Sequence, residues 1–364
     1  MMLIRWASLL ATILNLETVA SSREGRGPKP NDSLVYIALE EHWYSPSLSD
    51  PSLAPLSATL SRQGGRLPDI ITEVGPIRLA NMTAHRVRKQ IISHASAPAG
   101  LERPDLARAA NDELAKAIAG NTERFAGFAF LPMTYPELAA AELERCVKNL
   151  GFVGALFDNH LANGTYFDGE AYRPFWAKAA ALGVPIYLHP TWPSETTFTR
   201  VGGAYAPSAP GSFPMTGALI MGGSGWGWHQ DAGLHFLRLY AAGIFDEFPT
   251  LKVILGHNGE MVPFMLDRTN VLLGTHNTRA KTSLVQTYKR NIWLTTSGMF
   301  SLDPLATMLR NTAIDRIMYS IDYPFSNSKA GDDFMKKLEC SGLVTRTEWE
   351  MIAYGNAQKL LNVT

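Results

Sequence analysis

The chain has 364 residues, of which 46% are hydrophobic and 18% are charged, a composition that supports a large buried core and excludes a disordered chain. Lys plus Arg number 33 and Asp plus Glu also number 33, so no charge excess attracts nucleic acid or an anionic membrane, and a small, weakly charged partner is expected. Two cysteines, Cys146 and Cys340, exclude a disulfide framework and a cysteine-built zinc cluster, and leave open whether they pair.

The first 20 residues have the pattern of a secretory signal peptide. Arg5 precedes a short apolar stretch, and small residues end the segment near Ala20. The apolar stretch is too short to span a bilayer. Residues 21–33 then form a polar linker, so secretion is expected, with a cytoplasmic enzyme that carries an N-terminal extension as the alternative. Four N-x-S/T sequons, which are glycosylation acceptors in secreted proteins, occur at Asn31, Asn81, Asn163 and Asn362.

Eight short apolar runs recur along the chain after residue 34. Each is rich in β-branched or aromatic residues and does not alternate strictly, which is typical of strands that are buried on both faces. The runs cover residues 35–39, 88–93, 125–130, 152–156, 184–188, 252–255, 291–294 and 316–320.

Amphipathic stretches separate these runs and predict helices. They cover about residues 70–85, 103–119, 136–149, 171–182, 231–243, 259–273, 302–310 and 331–341, with a final helix at about 346–361.

Eight strand–helix units in succession predict an α/β fold, a single (β/α)8 TIM barrel over residues 34–364 with a C-terminal helical extension. An open doubly wound sheet is the alternative, but its first strand would be followed by a Gly-rich phosphate-binding turn. Here the first strand runs directly into Glu40-Glu41-His42. The segment 190–228 is rich in Gly, Pro and Trp and has no periodicity, so it is predicted to be a long functional loop.

Residues that can bind a metal follow several of the predicted strands. Glu40 and His42 follow the first strand, His189 follows the fifth and Asp322 follows the eighth. The carboxyl ends of parallel barrel strands meet at one rim, where barrel active sites lie, so these side chains are expected to converge. Two imidazoles and two carboxylates suit one divalent zinc or manganese ion and leave coordination positions open for a substrate.

The turn G-H-N-G-E follows the sixth strand and carries His257 and Glu260. Glu260 is positioned to orient His257 and raise its basicity, as in acid–base catalysis. Two alternatives stay open: Glu260 as a helix-entry residue that favours the helix dipole, and His257 as a further metal ligand. The other histidines are predicted to be structural or exposed, although His229 lies in the Trp-rich segment: His85, His94, His160, His229, His235 and His276.

At these residues the chain resembles the metal-dependent, non-oxidative decarboxylase branch of the amidohydrolase superfamily, and in particular the γ-resorcylate and 2,3-dihydroxybenzoate decarboxylases. The resemblance covers about residues 36–361. It is carried chiefly by A-L-E-E-H (38–42), Y-L-H-P (187–190), I-L-G-H-N-G-E (254–260), T-T-S-G (295–298) and I-D-Y-P-F (321–325). Hydrolytic members of the superfamily usually begin with an H-x-H pair, whereas this chain has E-x-H, as the decarboxylase branch does.

The resemblance implies an activity and a role for each site residue. The activity would be release of CO2 from an aromatic acid that carries a hydroxyl group ortho to its carboxylate. Asp322 would serve as acid and metal ligand, together with Glu40, His42 and His189. The pair His257 and Glu260 would handle protons, and the aromatic side chains of Phe325, Trp226 and Trp228 would line the pocket.

The chain departs from the family pattern in two places. Asn258 stands where the family commonly has Met or Leu, and Tyr323 stands between Asp322 and Pro324 where the family commonly has Trp. The resemblance also implies a homo-oligomer, a dimer or a tetramer. The main alternative function is a metal-dependent hydrolase that cleaves an amide or a lactone with metal-activated water. A degenerate barrel that only binds a ligand is the second alternative.

Overall fold

The computed structural model describes residues 35–48, 67–192, 204–209 and 211–364. The expected signal peptide and the linker over 21–33 lie outside the described residues, as does part of the long segment 190–228. Within the described part, no helix is both long and apolar enough to cross a membrane.

Eight parallel strands form the centre of the fold and correspond to the eight predicted runs. The first three strands form one sheet in the order β1-β2-β3, and the other five form a second sheet in the order β4-β5-β6-β7-β8. Isolated bridges join Leu39 to Ser320 and Ala129 to Ala155, so each edge of one sheet contacts an edge of the other. The strands are β1 (Tyr36–Trp43), β2 (Val87–His94), β3 (Phe125–Gly127), β4 (Ala155–Asp158), β5 (Pro185–His189), β6 (Lys252–Leu255), β7 (Ile292–Thr295) and β8 (Ile317–Met318).

Helices connect successive strands and cover the outside of the sheets. In chain order they are α1 (Leu67–Ile71), α2 (Pro76–Ala84), α3 (Pro98–Glu102), α4 (Pro104–Ile118), α5 (Pro136–Asn149), α6 (Arg173–Leu182), α7 (Met215–Gly222), α8 (Gly227–Ala241), α9 (Ile244–Glu247), α10 (Val262–Leu273), α11 (Leu284–Asn291), α12 (Leu302–Asn311), α13 (Ser328–Cys340), α14 (Arg346–Glu350) and α15 (Asn356–Leu361). Short 3-10 turns occupy Pro46–Leu48, Ala119–Asn121, Glu170–Tyr172, Thr275–Asn277 and Ile314–Arg316, and a π turn, Met351–Gly355, joins α14 to α15.

The helices differ from the prediction in several places, including the short helices α3 and α9, which were not predicted. The predicted helix over 70–85 is two helices, because Gly75-Pro76 interrupts it and Pro76 begins α2. The long segment after β5 contains α7 and the start of α8, where a loop was predicted. Helix α11 was not predicted because it is only two turns long. A capping box between Ser283 and Gln286 fixes its start.

Buried apolar side chains lie on both sides of the strands. One cluster lies between the strands and the covering helices. A second, smaller cluster contains strand residues such as Ile37, Leu156 and Ile254, together with Leu360 and Leu361 of α15. The C-terminal helical extension therefore packs on the strands themselves.

The two cysteines are separate free thiols. Cys146 is buried on α5, and Cys340 is exposed at the end of α13. Burial raises the pKa of the Cys146 thiol, which keeps it in the unreactive protonated form.

Candidate functional site

Strand β1 carries the first two predicted ligands at a bulge. Ala38 pairs with Gln90 and Glu41 pairs with Ile92, so β1 has one residue more than β2 over this stretch. Glu40 has a φ of 57°, a left-handed conformation that is unusual for a residue with a side chain. The bulge alters the direction of the Glu40 side chain at the end of the strand.

The four predicted ligands meet at the carboxyl ends of β1, β5 and β8. Nε2 of His189 lies 3.4 Å from Oε1 of Glu40. Nε2 of His42 lies 3.2 Å from Oδ1 of Asp322. One nitrogen or oxygen atom from each of Glu40, His42 and His189 lies within 4.8 Å of the others. Residues that are 282 positions apart in the chain (40 to 322) thus face one small volume.

Two atoms in this volume fit a divalent cation. Within the described part of the chain, Oε1 of Glu40 and Nε2 of His42 are buried and have no hydrogen-bond partner. Buried polar atoms are rarely left without a partner, so a ligand is the expected explanation. A carboxylate and two imidazoles are the donor set that binds manganese or zinc.

In Glu40 and in His42, the second atom that could bind a metal already has a partner. The hydroxyl of Tyr187 donates to Oε2 of Glu40 and also contacts Thr295 and Ser297 at 2.6 and 3.0 Å. Ser93 Oγ lies 3.3 Å from Nδ1 of His42. These partners fix the orientation of the ligands and leave one atom of each facing the site. Tyr187 was not predicted, although it lies two positions before His189 in Y-L-H-P.

A second cluster lies beside the first and joins three side chains. Oε1 of Glu260 is 2.7 Å from Nδ1 of His257, and Oε2 of Glu260 is 2.8 Å from Nδ1 of His229. Nε2 of His257 lies 3.8 Å from Oε1 of Glu40, so this cluster adjoins the ligands. The predicted pair of His257 and Glu260 is in contact. His229, which was set aside as structural or exposed, belongs to the same cluster.

Charge controls the ionisation of this second cluster. Burial alone would lower the pKa of His257, but the carboxylates of Glu260 and Glu40 raise it to about 10. Burial alone would raise the pKa of Glu260, but His257 and His229 lower it to about 2. The arrangement therefore favours an ionised Glu260 next to a protonated His257, which suits proton transfer.

Asp322 follows β8 and also has a left-handed backbone, with a φ of 69°. Burial raises the pKa of its carboxyl group to about 6. The ring centroid of Phe325 is 5.5 Å from that of His42, so Phe325 lies beside the site, and its role in substrate binding stays a prediction.

The predicted tryptophans lie at the start of α8. The ring of Trp228 meets that of Trp192 edge-on, with centroids 4.6 Å apart. Trp226 is 51% exposed, so its side chain is available at the surface rather than packed in the core. Within the described part of the chain, neither tryptophan is seen in contact with the ligand cluster, so their role stays a prediction.

Comparison with known proteins agrees with the geometry. The family described as Amidohydrolase matches residues 62–363. The chain is 47% identical over 332 residues to the decarboxylase orsB of Emericella nidulans, covering 90% of this chain and 97% of that one. It is 35% identical over 350 residues to the γ-resorcylate decarboxylase of Polaromonas sp., covering 90% and 98%.

A solved structure with a similar fold contains a metal. It is the dihydroxybenzoic acid decarboxylase of Polaromonas sp. with bound manganese and the inhibitor 2-nitroresorcinol. Its TM-score to this chain is 0.78, with 34% identity, and the match covers 90% of this chain and 97% of that chain.

Proposed function

The chain belongs to the Amidohydrolase family, and we propose that it is a metal-dependent carboxy-lyase that removes CO2 from an aromatic acid with a hydroxyl group ortho to the carboxylate. The observation that carries this function is that Glu40, His42, His189 and Asp322 converge on one small volume. Two of their buried atoms, one on Glu40 and one on His42, have no hydrogen-bond partner. The E-x-H start of the site and the named decarboxylases among its relatives favour decarboxylation over hydrolysis.

The two sheets are proposed to be parts of one (β/α)8 barrel within a single domain over residues 34–364. The support is the pair of bridges, Leu39 to Ser320 and Ala129 to Ala155, which connect β1 with the end of β8 and β3 with β4. A closed barrel places the carboxyl ends of all eight strands on one rim. Such a rim explains how ligands from β1, β5 and β8 reach the same site.

Glu40, His42, His189 and Asp322 are proposed to hold one divalent ion, manganese by analogy with the Polaromonas structure or zinc. When bound, the ion supplies positive charge that attracts the carboxylate and the ortho hydroxyl of the substrate and offsets negative charge that develops during the reaction.

Asp322 is proposed to donate the proton that replaces the carboxylate. The proton goes from the Asp322 carboxyl group to the ring carbon that bears the carboxylate. The bond between that carbon and the carboxylate then breaks, its electron pair restores the aromatic ring, and CO2 leaves. Oδ1 of Asp322 lies 3.2 Å from Nε2 of His42, so its carboxyl group faces the volume in which the substrate's carboxylate would bind.

His257 and Glu260 are proposed to handle the proton of the substrate's phenol. Nδ1 of His257 is held by Glu260, which leaves Nε2 facing Glu40 and the ligand cluster. A protonated imidazole in that position can donate a proton at Nε2 and take it back while its ring stays fixed. The aromatic walls for the substrate ring are proposed to be Phe325, Trp226 and Trp228, of which Phe325 lies beside His42.

A panel of ortho-hydroxybenzoates tests the proposed reaction. Each acid is incubated with the protein and Mn²⁺, and the released CO2 is measured. CO2 release from at least one member, abolished by removal of the metal, is expected. Turnover of esters, amides or lactones with no CO2 from any acid would support the hydrolase instead.

A second copy of the chain is the proposed partner. Helix α10 exposes apolar side chains in two pairs, Phe264 with Met265 and Val271 with Leu272, at 40–78% exposure. Such a contiguous apolar face is typical of an interaction surface. Asp267 and Arg268 lie between the pairs, so an antiparallel contact about a two-fold axis would join unlike pairs and place opposite charges near each other.

Secretion with glycosylation is proposed for the cellular form. The support is the apolar N-terminal segment with small residues near Ala20 and the position of Asn163, which is exposed in the loop after β4. N-terminal sequencing and peptide mass mapping of the protein from a secreting eukaryotic host test this proposal. An uncleaved N-terminus and an unmodified Asn163 would contradict it.

A further inference from the structure

Glu41 lies between Glu40 and His42 in β1, but its side chain contacts other residues and does not face the ligand cluster. It is fully buried, and each carboxylate oxygen accepts one hydrogen bond. Oε1 accepts from the backbone N–H of Ile321 at 2.9 Å, and Oε2 accepts from Nε2 of Gln90 at 3.0 Å. The side chain thereby joins β1 to β2 and to the residue directly before Asp322.

Arg78 fixes which way the amide of Gln90 points. Its guanidinium is buried, donates to Oε1 of Gln90 at 3.4 Å and to the carbonyl of His42 at 2.6 Å, and lies 4.6 Å from the ring centroid of Tyr323. Because the oxygen of the Gln90 amide faces Arg78, its NH2 group must face Glu41. Gln90 thus links Arg78 to Glu41, accepting from one and donating to the other.

The network fixes the position of the backbone at Glu40 relative to the backbone at Asp322. Glu40 and Asp322 both have left-handed φ values, 57° and 69°, which are unfavourable for residues with side chains. Such conformations persist only where the surroundings impose them. Glu41 supplies one such restraint through Ile321, and the N–H of His42 supplies another by donating to the carbonyl of Tyr323 at 2.6 Å.

We propose that Glu41 is a positioning residue that sets the spacing between the metal ligands of β1 and Asp322 without binding the metal itself. The inference rests on the proposed function, because it assigns a role relative to the metal site. Glu41 is suited to this role since its neighbours Glu40 and His42 face the site, while its own oxygens are both used by Ile321 and Gln90.

Exchanging Glu41 and Gln90 for each other tests the hydrogen bond between them. In Glu41→Gln the new NH2 group faces either the NH2 group of Gln90 or the backbone N–H of Ile321, so that one donor loses its acceptor, and in Gln90→Glu two carboxylates face each other. In the double variant Glu41→Gln/Gln90→Glu, the new Gln donates to the new Glu, whose second oxygen still accepts from Arg78. Affinity for Mn²⁺ is measured on the metal-free proteins from the electron paramagnetic resonance signal of free Mn²⁺, independently of activity.

We expect each single variant to bind Mn²⁺ about 10- to 100-fold more weakly, as is typical when a side chain that orients metal ligands is changed. The double variant should recover most of the affinity. If Glu41→Gln alone does not fold, the test is decided by whether the double variant folds and binds Mn²⁺ tightly again. Glu142→Gln is the matched control, since Glu142 is a buried carboxylate on α5 that binds Asn111 and Arg145.

Three results would overturn the inference. In the first, Glu41→Gln binds Mn²⁺ as tightly as the unmodified protein. In the second, the double variant stays as weak as the single variants. In the third, Glu142→Gln weakens binding by the same factor, so that the effect is one of general stability. Failure of the unmodified protein to bind Mn²⁺ would overturn the proposed function itself, and with it this inference.

Discussion

Nδ1 of His229 lies 2.8 Å from Oε2 of Glu260, so that the carboxylate of Glu260 is shared between His229 and His257. Nε2 of His229 lies 2.8 Å from the carbonyl oxygen of Ser224, so both ring nitrogens face acceptors and the ring plane is fixed. His229 thus determines where Glu260 points and, through Glu260, how His257 is oriented.

His229→Ala should lower kcat about 10- to 100-fold while metal content stays unchanged. The reason is the loss of a hydrogen bond to a charged group, which is worth about 1.5–3 kcal/mol, and each 1.4 kcal/mol corresponds to about tenfold in rate. Steady-state CO2 release measures the effect. The exposed His276→Ala is the control and should behave like the unmodified protein. Equal turnover of His229→Ala and the control would show that His229 is structural.

His189→Ala should lose most of the bound metal. Its Nε2 is 3.4 Å from Oε1 of Glu40, so the variant removes one of the imidazoles that face the site. Elemental analysis of the purified protein gives the metal content per chain. His235→Ala, which removes a buried histidine on α8, should keep its metal. Full metal content in His189→Ala would refute the ligand assignment.

His257→Asn should keep the metal and lose activity by about a hundred- to ten-thousand-fold, the usual contribution of a general acid–base group. The amide of Asn can still donate a hydrogen bond to Glu260, but unlike an imidazole it does not gain or lose a proton near neutral pH. Metal analysis and CO2 release are measured on the same sample. Loss of metal would identify His257 as a ligand, and near-normal turnover would identify it as structural.

The sequence was sufficient to predict the eight strands and the residues at their ends. Strands buried on both faces are marked by continuous apolar runs, and a parallel arrangement brings the ends of distant runs together, so Glu40 and Asp322 could be grouped before any coordinates were known. Tyr187 could have been found too, because it lies two positions before His189 and so on the same side of β5.

Other features depend on tertiary contacts that leave no pattern in the sequence. His229 reaches Glu260 only because α8 begins inside the segment predicted as a loop. The bulge of β1 is set by its pairing with β2, and the left-handed backbone at Glu40 carries no glycine to signal it. Helix α11 is different, because its capping box of Ser283 and Gln286 is a sequence signal from which the helix could have been predicted.

The apolar face of α10 should control the oligomeric state. Phe264→Glu combined with Val271→Glu introduces charge at positions that are 78% and 72% exposed, so the fold of one copy should be unaffected. Light scattering after size exclusion should show a smaller assembly than for the unmodified protein. Ile77→Glu on α2, at 44% exposure, is the control and should leave the assembly unchanged. An unchanged mass for the α10 variant would exclude this face as the contact.

The central claim is that the enzyme replaces a ring carboxylate with a proton, and reaction in heavy water tests it most directly. A substrate identified from the panel is converted in D2O, and the product is examined by mass spectrometry and proton NMR. Decarboxylation predicts CO2 release and one deuterium at the ring carbon that lost its carboxylate. A product that keeps its carboxylate and has gained the elements of water across an ester or amide bond would contradict the account and establish hydrolysis.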